Sequence, residues 1–191
     1  MKPIDLQGFD RKFVNDADPW STFTSRDEAR KRSAILRGLG NGPVGRVLEL
    51  AAGNGSNSVA LARFALRLDA TEGTESGTDL VRRAVPGDPR VRVTRLVLPD
   101  RFPRHRYDAV IIAEVLYYLS PGDMAKVACA VAQVLRPGGR LIMAHHRVDY
   151  PDFVQHADGI HRRFIRDSHG CWARAIEAGT GRWRVQTFIR L

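Results

Sequence analysis

The chain is poor in cysteine and lysine and contains no long apolar run, and each shortage removes a class of protein from consideration. Its two cysteines, Cys129 and Cys171, stand far apart and in no C-x-x-C pattern. This gives neither a disulfide framework nor a zinc or redox pair and suits a reducing compartment. The N-terminus, Met-Lys-Pro-Ile-Asp-Leu-Gln-Gly-Phe-Asp, alternates polar and apolar residues without a leader-like apolar core. No later stretch approaches the roughly 20 apolar residues of a membrane span. The expectation is a soluble, cytoplasmic protein without a metal site.

Of its 30 basic residues only four are lysines, so the net charge of +9 rests on arginine. We read that bias first as codon usage and second as a basic surface for nucleic acid or another anion. At 191 residues and 43% hydrophobic content the chain suffices for one domain with a real core. Within it we expect an N-terminal arm or lid over 1–24, a core over 25–146, and a C-terminal helix and edge strand over 147–191.

The arm reads as irregular, because Asp16, Asp18 and Pro19 oppose a helix, with Trp20 and Phe23 as anchors. Ser25 to Glu28 forms a capping box, and Ala29, Ile35, Leu36 and Leu39 predict a helix over about 26–39, ended by Gly40 and Gly42. Arg46–Leu50 is a first strand, and Val59, Ala60, Ala62 and Phe64 mark the helix after it. Leu68, Ala70 and Glu72 form a second strand, followed by a helix that Thr74 caps. Val91 and Val93 mark a third strand. Tyr107–Ala113 is the longest apolar run and reads as a central strand covered on both faces. Ser120-Pro121 opens a helix that Pro137-Gly138-Gly139 ends, and Arg140–Ala144 is a fifth strand. Phe153, Ala157, Ile160 and Phe164 predict one more helix and Trp183–Leu191 a last strand, with 167–180 open between helix and strand. Strands interleaved with helices imply a three-layer αβα sandwich, a doubly wound, mostly parallel, Rossmann-like sheet with an antiparallel C-terminal strand.

The richest stretch is Val47–Ala62, an apolar strand, a glycine turn and a helical repeat. Ligands of open α/β sheets bind where the first strand meets its helix. Glu49, just before the turn, would repel a pyrophosphate and welcome an ammonium or sulfonium, which favours S-adenosylmethionine over a dinucleotide.

Glu49-Leu50-Ala51-Ala52-Gly53-Asn54-Gly55 resembles the E-x-G-x-G-x-G motif of class I S-adenosylmethionine-dependent methyltransferases, with Ala51 in the place of the first glycine. An acid after the second strand, Asp108 to Leu119, and Leu135-Arg136-Pro137-Gly138-Gly139 extend the likeness over residues 45–146. Asp18-Pro19-Trp20 before the capped helix, and Ala113 to Leu119, are similar to the nodulation protein S family, which N-methylates an amino sugar. The resemblance implies S-adenosyl-L-methionine as cofactor, S-adenosyl-L-homocysteine as product and a small-molecule methyl acceptor.

Glu49 is the candidate for the methionyl ammonium, with Ala51, Gly53, Asn54 and Gly55 forming the loop around the cofactor. Glu72 and Glu75 compete for the ribose hydroxyls, since a carboxylate accepts two hydrogen bonds from adjacent hydroxyls; the motif favours Glu72. Asp100 is the candidate near adenine, and Trp20 a cover from the arm. Glu114 and Tyr117 would shape the methyl-transfer region, Glu114 also touching the cofactor. His145 and His146 are candidate general bases, of which only one faces the cleft, because side chains alternate along a strand. Two other readings stay open: a nucleic-acid methyltransferase or RNA-binding protein using the basic region Arg82–Arg106, and a catalytically silent cofactor-binding module.

Overall fold

The computed structural model describes residues 3–191. The arm is not irregular throughout: Leu6–Asn15 is a helix, α1, whose N-cap Asp5 accepts a hydrogen bond from the Gly8 amide. Asp16, Asp18 and Pro19, which oppose a helix, lie just beyond its end. What escaped was the apolar set Leu6, Phe9 and Phe13, of which Phe13 is buried.

Helix α2, Arg26–Leu39, starts on the Ser25 cap, whose hydroxyl accepts from the Asp27 and Glu28 amides. Then come β1 (Val44–Leu50), α3 (Ser56–Leu61), β2 (Ala65–Glu72), α4 (Glu75–Ala84), β3 (Val91–Arg95) and β4 (Tyr107–Ala113). Helix α3 is shorter than expected, and Phe64 falls in the turn after it. A 3₁₀ turn, Leu116–Tyr118, leads to α5 (Pro121–Val134), β5 (Leu135–His146), α6 (Ile160–Asp167), β6 (Trp172–Gly179) and β7 (Trp183–Arg190).

The sheet order is β3-β2-β1-β4-β5-β7-β6. Strands β1 to β5 pair in parallel, and β7 runs antiparallel to both neighbours. The last strand is therefore not the edge. It inserts between β5 and β6, and β6 resolves the open segment 167–180 as the edge strand. Phe153 lies outside α6 and stacks on Tyr117, ring centroids 3.7 Å apart.

Alternate residues of the central strands supply two cores. Leu48, Val110, Ile112, Leu141 and Met143 pack with α5 and α6; Val47, Ala109, Ile111, Ile142 and Ala144 pack with α2, α3 and α4. Burial of both faces explains why β4 reads as an unbroken apolar run. Among the described residues no helix is long and apolar enough to cross a membrane.

Candidate functional site

At the C-terminal edge of the sheet, β1 ends in a turn with three residues at positive φ: Ala51 (53°), Gly53 (62°) and Gly55 (85°). The two glycines do different work. A Cβ on Gly55 would sit 2.8 Å from Ala84 Cβ and 3.1 Å from Val81 Cα, so its bareness lets α3 meet α4. Gly53 faces the arm, with Phe13 Cζ 3.8 Å from the place of a Cβ, and its amide donates to Glu72 Oε2 at 3.0 Å. Ala51 keeps the left-handed backbone of the motif despite its methyl.

Glu49 is 2% exposed. Its Oε2 accepts from the Ser58 hydroxyl at 2.6 Å. Burial lifts its pKa to about 8, offset in part by the Ser58 bond, raised further by Glu72 and lowered by Arg32. Arg32, on α2, donates through Nη2 to the Thr22 carbonyl at 2.5 Å, while its buried Nε has no partner among the described residues. Sequence reading missed Arg32, because nothing in the pattern of α2 separates it from Arg26, Arg30 or Arg37.

Glu72 is likewise buried. Besides Gly53, its carboxylate accepts from the Thr74 amide and hydroxyl, both at 2.9 Å; burial raises its pKa while these donors pull it back. Glu75 is exposed at the start of α4 and lines an outer groove with α1. Asp100 is an exposed loop acid that accepts from the Arg101 amide at 2.6 Å. The segment after β3 offers Leu96 and backbone instead.

The arm closes over this turn. Asn54 Nδ2 donates to Asp18 Oδ1 (2.8 Å) and the Ala17 carbonyl (3.1 Å), and its Oδ1 accepts from Thr22 Oγ1 (3.0 Å). The Ser76 amide donates to Asp10 Oδ1 on α1 at 3.0 Å. Trp20 meets Phe13 edge-on at 5.4 Å, and Phe9 meets Tyr118 at 4.8 Å. Asn54 thus pins the arm, and Trp20 joins an aromatic cluster running to Tyr118.

At the end of β4, the strand paired with β1, Glu114 follows the last strand residue with φ at 55°, a conformation that a non-glycine residue adopts only when its surroundings enforce it. Its carboxylate accepts from Lys31 Nζ, the Tyr117 hydroxyl and the His146 amide. Lys31 is 3% exposed and also bonds Glu28 Oε1 at 2.7 Å. Burial pulls its pKa down, but the two carboxylates outweigh that and leave it raised. Burial also holds the Tyr117 hydroxyl well above its usual range, so it remains a donor. Lys31 and Glu28 were missed too; one signal was a scarce lysine three residues after the capping-box glutamate.

The two histidines part company. His146 Nε2 lies 3.9 Å from Glu114 Oε1 and 4.0 Å from Glu28 Oε1, with its side chain 28% exposed. His145 points to the other face and is fully enclosed. Its Nε2 accepts from the Leu116 amide at 3.3 Å, and its Nδ1 lies 2.9 Å from His161 Nε2. His161 Nδ1 in turn meets Gln186 Oε1 at 2.9 Å. The amide at one end and the amide oxygen at the other assign the tautomers: both rings are neutral, each carrying its proton on Nδ1. Burial holds His145 well below its ordinary pKa and His161 at about 4.

The sequence matches the model of the methyltransferase domain family over residues 48–143. Nodulation protein S of Rhizobium tropici is 31% identical over 135 residues, 68% of this chain and 56% of that protein. The nodulation protein S of Sinorhizobium fredii is 26% identical over 129 residues, covering 65% and 59%. The chain thus spans little more than half the length of these curated relatives. The crystal structure of the N-methyltransferase NodS from Bradyrhizobium japonicum in complex with S-adenosyl-L-homocysteine superposes with a TM-score of 0.85 over 97% of both chains, at 20% identity. That likeness shows the fold. The family match covers half of the chain, and with the Glu49 turn, the sheet order and the NodS-like frame it places this protein in the methyltransferase domain family, of the class I, S-adenosylmethionine-dependent kind.

Proposed function

We propose that this chain transfers a methyl group from S-adenosylmethionine to a small-molecule acceptor, with an amine or amino sugar as the nucleophile. The observation that carries the reading is that buried Glu49, bonded by the Ser58 hydroxyl, and Arg32, whose buried Nε lacks a partner among the described residues, stand near one turn without an ion pair between them. A carboxylate deprived of a cation and a guanidinium with an unused donor at one turn complement the ammonium and carboxylate of an amino acid moiety. A pyrophosphate would suit Arg32 but not Glu49. Glu72, bonded to the Gly53 amide, keeps a lone pair for a ribose hydroxyl, and Leu96 offers an apolar wall for adenine.

When bound, the cofactor supplies an electrophilic methyl on a positively charged sulfur. Everything else falls to the chain. Closure of the arm by Asn54, Phe13 and Trp20 excludes water, and Glu114, held by Lys31 and Tyr117, fixes the acceptor side. Such alignment is worth roughly 7–11 kcal/mol, against about 10² to 10⁴-fold in rate for a base. For the proton of an ammonium acceptor we assign His146, whose ring reaches the cleft, and not His145, whose two nitrogens are committed.

The likeness to NodS of Bradyrhizobium japonicum, an N-methyltransferase, supports the choice of an amine. The nucleic-acid reading is not favoured, since Arg82 and Arg90 in the basic region pair with Asp79 and Asp88. A methyl-transfer screen with labelled cofactor across amino sugars, small amines and RNA tests the proposal. Transfer to amines is expected, with His146→Ala altering the pH profile and His145→Ala leaving its shape intact. Labelling of RNA alone would overturn the assignment.

A further inference from the structure

A second cleft, of about 470 Å³, lies between α6 and the β6–β7 hairpin, on the face of the sheet opposite α2. Arg147, Arg162, Arg174 and Arg184 line it, with Trp172 as an apolar wall. Arg174 and Arg184 share Glu177, at 3.4 and 3.2 Å, and Asp158 stands on the rim. Arg147 and Arg162 form no ion pair among the described residues, so four guanidinium groups face two carboxylates. The first turn of α6 opens into the same cleft on Gly159, with no side chain capping it. The Arg162 guanidinium folds over that start, its Nη2 3.1 Å from where a Gly159 Cβ would be.

The floor cannot neutralise this charge. His161 and Gln186 are buried there and tied to each other and to His145, and Gln186 Nε2 is spent on Glu177 at 2.9 Å. A cleft with surplus guanidinium groups, a helix start without a side-chain cap and an aromatic wall has the chemistry of an oxyanion site. It also adjoins the methyl-transfer region, because His146 belongs both to its wall and to the Glu114 cluster.

We propose that this cleft binds an oxyanion, a phosphate or a carboxylate, carried by the methyl acceptor itself. The acceptor then spans two sites, its nucleophile beside Glu114 and His146 and its anionic group among Arg147, Arg162 and Arg184. The assignment rests on the methyl-transfer reading above, narrowing the acceptor from any small amine to one that also carries an acid group.

Calorimetry with inorganic phosphate at fixed ionic strength, on wild type and on an Arg162→Gln/Arg184→Gln variant, tests the site without any turnover. The variant is expected to bind phosphate at least tenfold more weakly, one charge-assisted contact being worth about that factor, with S-adenosylmethionine affinity unchanged. Equal phosphate affinity in the two proteins overturns the site. Activity then separates the sources of the anion: amines bearing a phosphate or carboxylate should exceed their neutral counterparts at least tenfold in kcat/KM, and the variant should lose the preference. Arginine-dependent phosphate binding with no such preference means that a free anion fills the cleft and overturns the assignment to the acceptor. If no amine is methylated while phosphate binding still depends on the arginines, the site stands and the amine reading falls instead.

Discussion

Lys31 on α2 and Glu114 after β4, 83 residues apart, form an ion pair in which the ammonium is buried and the carboxylate partly exposed. Lys31 also holds Glu28, so one ammonium serves two carboxylates.

Removing that ammonium leaves two carboxylates facing each other. Breaking a buried pair costs about 3–5 kcal/mol, and partial exposure of Glu28 and Glu114 reduces this to about 2–3. Lys31→Met should therefore unfold at markedly lower urea, and Lys31→Met combined with Glu114→Gln should recover part of the loss. Additive losses in the double-mutant cycle would show that the two do not interact.

On the proposed reading, Glu49 gives up stability in exchange for binding the cofactor. Its folded pKa of about 8 lies above the ordinary 4.5, so the stability tied to its retained proton is complete below pH 4.5 and is lost as pH rises through 8. Glu49→Gln should thus stabilise the ligand-free protein at pH 8 by on the order of 2 kcal/mol, while cutting S-adenosylmethionine affinity at least tenfold. Calorimetry and urea unfolding read both effects; unchanged cofactor affinity would remove Glu49 from the site.

The buried histidines give the opposite slope. His161 titrates near 4 in the fold and near 6.5 when unfolded, so the unfolded state takes up its proton first as pH falls. Stability from this residue is complete above pH 6.5 and declines to pH 4, by about 3 kcal/mol at most, and burial shifts His145 the same way. His161→Gln should flatten that slope relative to wild type, a comparison that cancels Glu49. Parallel stability curves between pH 4.5 and 7 would refute it.

Ala51 holds φ at 53°, which costs an L-residue roughly 1–2 kcal/mol. Glycine removes that cost but loosens the unfolded chain by about 0.4–1 kcal/mol. Ala51→Gly is expected to stabilise the protein by about 0.5–1 kcal/mol, read as a rise in the urea midpoint at constant slope. A lower midpoint would mean that the alanine methyl packs favourably.

Local signals were legible. The Ser25 and Thr74 caps, the apolar run of β4 and the strand-glycine-helix unit at Glu49 are each written in adjacent residues, because capping and periodicity act over four residues or fewer. Helix α1 escaped because its apolar face is completed by Trp20 and Tyr118 from other segments. β6 escaped because it is an exposed edge whose pairing comes from β7.

Within the candidate site, the chain itself named the acids and histidines, but not what each faces. Glu72 and Glu75 differ by three positions, yet one is buried against the Gly53 amide and the other is in solvent. His145 and His146 are adjacent, yet strand alternation sends one into a neutral wire and the other toward Glu114. Sequence alone determined the fold class and the glycine turn, since these follow from short-range pattern. Arg32, Lys31 and the arginine cleft depended on tertiary structure, because charge and burial are set by residues brought together from distant parts of the chain.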